Sequence, residues 1–136
     1  MQVLDFAKAA GLAAAILIVD VLVAVGVVYL WADYVAPGHP RAYYATAGVA
    51  VARLSTRIFG TALVLAALWW AGRRNLQRNP LLFAVIVVIC YAVLDGASVG
   101  FAGFLSASFG FTTLLKLLAG LAGAQLARMT RPRATT

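Results

Sequence analysis

Four charged residues lie deep inside long apolar runs of this chain: Asp20, Arg57, Asp95 and Lys116, with Arg53 one helical turn from Arg57. An ionisable side chain at the centre of a bilayer costs at least about 2.5–3.5 kcal/mol, so each needs a partner or a wet cavity. Two are acids and two are bases. Counted along a helix from the cytoplasmic end of its run, Asp20 and Lys116 each lie about 16 Å deep, Asp95 about 21 Å and Arg57 about 22 Å. The matched depths predict two ion pairs, Asp20 with Lys116 and Asp95 with Arg57 or Arg53. The crossed pairing stays open, because span ends carry an error of about 3–6 Å.

Helical spacing gives each charge a face. Lys116 shares its side with Thr112, Thr113, Gly120 and Gly123. Arg57 has Arg53, Gly60 and Thr61, and Asp95 has Tyr91 and Ser98. These faces look inward. Asp20 has only Ile16, Leu17, Val23 and Ala24 around it, so its partner must come from another helix. Buried pairs of this kind either fix helix register or line a path for a proton, an ion or a small polar solute.

Other chemistry is poorly served. One His and one Cys cannot build a standard metal or haem site, so no metal and no cofactor is expected. His39 reads as a solvated loop residue and Cys90 as an inert filler of an apolar run. No phosphate loop, Ser-x-x-Lys, His-Glu-x-x-His or Cys-x-x-Cys occurs. Asp20 and Asp95 as an acid–base dyad would sit at different depths beside matched cations, and their flanks, IVDVL and VLDGA, carry no protease signature. The layout of four short helices with a midplane acid in the first is similar to that of the small multidrug-resistance exporters. Those carry Glu and aromatic motifs that this chain lacks, so the likeness stops at architecture and no family is assigned.

The elements that must position these residues follow from composition. Of 136 residues, 64% are hydrophobic and 11% charged, against about 25% charged in a soluble domain, which excludes a water-soluble enzyme. Four continuous apolar runs, about 9–31, 53–72, 81–100 and 108–127, each match the roughly 20 residues that span a bilayer. Residues 43–52 are a candidate outer extension of the second helix. Continuous rather than alternating hydrophobicity excludes a β-barrel. The fold class is therefore all-α, a single four-transmembrane-helix bundle. The first run is long and interrupted by Asp20, and reads as a retained span rather than a cleaved leader.

The net charge is +7 with no Glu. Basic residues cluster in the loop 72–80 (Arg73, Arg74, Arg78) and in the tail (Arg128, Arg131, Arg133). The positive-inside rule then places both termini in the cytoplasm of a cell's inner membrane. The charge thus reports topology, and no nucleic-acid partner is expected. Gly96 and Gly100 form a GxxxG, and Gly120 and Gly123 a second small patch, both candidate helix-packing faces within the chain or in a homo-oligomer or membrane partner. Tyr43 and Tyr44 read as an interface belt, and Phe101, Phe104, Phe109 and Phe111 as the core of the last hairpin. The expected function is a small transporter or channel built around the charged interior. A non-catalytic accessory subunit is the alternative, and a membrane enzyme the remote one.

Overall fold

The computed structural model describes residues 3–74, 79–104 and 106–130. The described residues form helices joined by short turns. Helix α1 is Val3–Leu30, closed by a wider π-helical turn, Trp31–Val35. Helix α2 (Arg41–Ser55) runs through a second π turn, Thr56–Gly60, directly into α3 (Thr61–Arg73). Helices α4 (Pro80–Phe104) and α5 (Ala107–Met129) complete the chain. Residues 41–73 are therefore one rod of 33 residues, and residues 43–52 belong to it. Among the described residues, four helices are long and apolar enough to cross a membrane.

Local chemistry sets the ends. Gly38, at φ +81°, turns the chain between Pro37 and Pro40, and α2 starts immediately after Pro40. A positive φ is strained for any residue with a Cβ. Pro80 occupies the first turn of α4, where a missing N–H is harmless, and the Asn79 side chain accepts the Leu82 N–H at 3.4 Å. Ser106 caps α5 by accepting the Phe109 N–H at 3.2 Å. Gly100 breaks α4 with φ +74° and ψ 170°.

Around the bundle the order is α1, α2–α3, α5, α4, so α1 faces α5 across a diagonal. The closest pairing is α3 with α5, and glycine makes it possible. A Cβ on Gly123 would run into the Leu65 carbonyl, and one on Gly120 would lie 2.8 Å from Leu68 Cδ1. The core is a thin column of Ala9, Ala13, Ile16, Val64, Leu68, Val87 and Tyr91. Large apolar side chains point outward instead: Ile18, Leu22, Val25, Val93 and Leu118 are all more than half exposed. Water would penalise so much contiguous apolar surface, whereas a bilayer would cover it.

Aromatic residues gather at both ends. At one, Trp31, His39, Tyr43 and Tyr44 pack together, with His39 stacked on Tyr43 at 4.2 Å. The Tyr44 hydroxyl donates to the Ala36 carbonyl at 2.6 Å, tying the α1–α2 turn. At the other, Arg73 and Arg74 lie over Trp69 and Trp70 at 5.1 and 4.2 Å.

Candidate functional site: a buried charge triad beneath a polar cleft

All four helical spans meet at one point. Asp20 of α1 and Lys116 of α5 form a salt bridge of 3.1 Å across the diagonal of the bundle. Tyr91 of α4 joins them: its hydroxyl donates to Asp20 Oδ2 at 2.6 Å and accepts from Lys116 Nζ at 2.6 Å. All three are at most 2% exposed. The fourth contribution is Gly60, the last residue of the π turn between α2 and α3. A Cβ there would lie 2.6 Å from Oδ2 and 2.8 Å from Oδ1 of Asp20. Gly60 has ordinary helical angles (φ −61°, ψ −39°), so its backbone does not require glycine. The Asp20 carboxylate does, for space.

The triad is sealed but not fully saturated. Asp20 Oδ1 has no hydrogen-bond partner among the described residues, nor has the buried Ser55 hydroxyl that precedes the π turn. Such turns accumulate at functional positions because the extra residue re-aims side chains and loosens the backbone ladder.

One helical turn away, toward the Ser106 end, lies a cleft of about 480 Å³. Arg53, Thr56 and Arg57 wall it from the α2–α3 rod, Asp95 from α4, and Ser106, Ser108, Phe109 and Thr112 from α5. Asp95 is four residues from Tyr91, and Thr112 four from Lys116. The cleft and the triad therefore share the same faces of α4 and α5, one stacked on the other.

The predicted Asp95 ion pair with Arg57 or Arg53 does not form: no salt bridge within 4.0 Å joins Asp95 to either arginine, whereas Asp20–Lys116 does form. Arg57 turns instead to α5, donating to the Ser108 hydroxyl at 2.7 Å, with Phe111 6.0 Å below its guanidinium. The physical reason is that Arg57, in the π turn, has its guanidinium drawn to α5 by Ser108, while Asp95 stands on the α4 wall of the same cleft. The Asp95 carboxylate makes no hydrogen bond or ion pair with any described residue.

The remaining expected residues divide. Tyr91 and Thr112 reach the triad and the cleft, respectively. Thr113 faces an apolar groove between α4 and α5 instead, among Val88, Val93 and Leu117. Thr61 donates to the Arg57 carbonyl at 2.5 Å, and the exposed Ser98 donates to the Asp95 carbonyl at 2.6 Å; both serve their own helix. Gly96, Gly120 and Gly123 are buried. Gly100 is not a packing glycine within the chain: it is exposed, its Cβ would meet nothing within 4 Å, and its role is the helix break. Phe109 lines the cleft and Phe111 is exposed, while the side chains of Phe101 and Phe104 lie outside the described residues, as do Arg78, Arg131 and Arg133.

Sequence reasoning missed four contributors: Gly60 at the triad, and Thr56, Ser106 and Ser108 in the cleft. Gly60 was visible only as a neighbour of Arg57, though a glycine within an apolar helical run is a signal of close approach. Ser108 was visible only as a helix start. No family model, no curated protein and no solved structure matches this chain.

Proposed function

We propose that this is a small transporter of polar solutes in a cell's inner membrane, with both termini cytoplasmic. One observation carries the reading: a charged, hydroxyl-rich cleft stacked directly on a sealed triad that three spans supply and Gly60 of the fourth abuts. In this reading the cleft is the vestibule on the outer side, and the triad is the barrier beneath it. Opening the barrier requires the Asp20–Lys116 bond across the diagonal to part, with Tyr91 able to hold either partner. The π turn at Gly60 supports the reading, since a loosened segment beside the barrier lets the α2–α3 rod flex without breaking.

The sealed state of the triad favours a second reading, an accessory subunit in which the ion pair fixes helix order. Against it stands the use of Gly120 and Gly123 inside the chain, which leaves that small-residue face no room for a partner helix. Reconstitution decides between the readings. Proteoliposomes should pass protons or a polar solute faster than protein-free vesicles. Equal leakage for protons and every solute tried would refute transport.

A further inference from the structure

The cleft holds charges of both signs that do not neutralise one another. Arg53 and Arg57 stand on one wall and Asp95 on another, with no salt bridge within 4.0 Å among them. Both walls are fixed by elements that have other reasons to be where they are. Arg57 is hydrogen-bonded to Ser108, and Asp95 sits one turn from the buried Tyr91, itself bonded to Asp20 and Lys116. Arg57 and Asp95 are half-buried, with Arg53 more exposed beside them, and half-buried charges that stand apart are costly unless something bridges them. A single acid or a single amine would satisfy only one wall and leave the other unpaired. A molecule with both groups satisfies the two together.

We infer that the cleft recognises a dual-charge ligand, with an anionic group on Arg53 and Arg57 and a primary ammonium on Asp95. This rests on the cleft being a binding site and gives its ligand class. An Arg pair suits a carboxylate or phosphate, whose oxygens take forked N–H donors. Asp95 suits a primary ammonium, which can donate hydrogen bonds to its carboxylate; a trimethylated ammonium cannot. The volume, about 480 Å³, falls within the ordinary size of small-ligand pockets. Two sources offer this chemistry: a free amino-acid-like solute, and the headgroup of an amine-bearing phospholipid.

The test uses the full chain in nanodiscs of phosphatidylglycerol, which has no amine, with calorimetric titration. The probes are alanine and glycerophosphoethanolamine, each beside its half-molecules: propionate and ethylamine for the first, glycerol phosphate and ethanolamine for the second. At least one parent should bind at least about tenfold tighter than both of its halves. A preference for alanine assigns a soluble ligand, and a preference for glycerophosphoethanolamine assigns a headgroup. Halves binding as tightly as their parents, or no binding by either parent, would overturn the inference. Asp95→Asn should remove the advantage of the amine while leaving propionate or glycerol phosphate unaffected; an unchanged advantage counts against the inference. The wild-type series decides alone if that variant does not fold. Binding with these preferences but without flux sinks transport and leaves the ligand assignment standing. Flux without the preferences does the reverse.

Discussion

Gly60→Ala should destabilise the protein although alanine is the better helix former. The added Cβ would stand 2.6 Å from Asp20 Oδ2. Reaching ordinary contact, at 3.4 Å, moves that oxygen by roughly 0.8 Å. The same oxygen holds both Tyr91 at 2.6 Å and Lys116 at 3.1 Å, so the shift stretches the salt bridge toward the limit of a useful contact. A hydrogen bond to a charged group contributes about 1.5–3 kcal/mol, and the helix gains up to about 1 kcal/mol from losing a glycine. With the full helix gain, the expected net cost is about 0.5–2 kcal/mol. In an Asp20→Ala background the obstacle is gone, and the same substitution should be neutral or stabilising by up to about 1 kcal/mol. Reversible unfolding in mixed micelles, run as a double-mutant cycle, measures the change of sign. An equal cost in both backgrounds would show that Gly60 answers to the backbone and not to the carboxylate, and would refute the reasoning.

Tyr91→Phe keeps the ring and removes the hydroxyl that both donates to Asp20 and accepts from Lys116, so unfolding should show a loss of about 1–3 kcal/mol; no loss would mean the direct salt bridge suffices. Gly123→Ala drives a Cβ into the Leu65 carbonyl and should cost about 1–3 kcal/mol, whereas Gly11→Ala, which meets nothing within 4 Å, should be neutral or mildly stabilising by the same assay. In a Cys90→Ser background, Asn79→Cys should resist a membrane-impermeant thiol reagent in intact cells while His39→Cys reacts; the opposite pattern inverts the orientation.

The parts of this fold that were legible in the sequence are those that straight α-helices carry. Asp20 and Lys116 were matched by counting residues from the ends of their runs, and no irregular turn interrupts α1 or α5 along that count. Their pairing across the bundle diagonal came out of depth alone. The same count put Arg57 and Asp95 at one level, and both line the cleft, but depth alone does not say that they stand on different walls without pairing. Nothing in Thr-Arg-Ile-Phe-Gly announces the π turn locally, nor that the Asp20 carboxylate lies against Gly60 at its end. Thr112 and Thr113 were both assigned to the inner face, but adjacent helical residues diverge by about 100°, and only Thr112 reaches the cleft. Gly100 shows a further ambiguity, since GxxxG reads identically whether its second glycine packs a helix or ends one.

The central claim is that the triad beneath the cleft is a barrier that opens during transport rather than a fixed clasp. Asp20→Asn combined with Lys116→Gln removes both charges at similar volume and leaves neither partner buried and unpaired, so the double variant should fold with stability close to wild type. Measured in proteoliposomes with a pH-sensitive dye inside, the wild type should show proton-coupled flux and the double variant should lack it. Wild-type vesicles without pH-dependent flux of any tested ion or solute, alongside a double variant of equal stability, would contradict the claim and leave the triad a structural clasp.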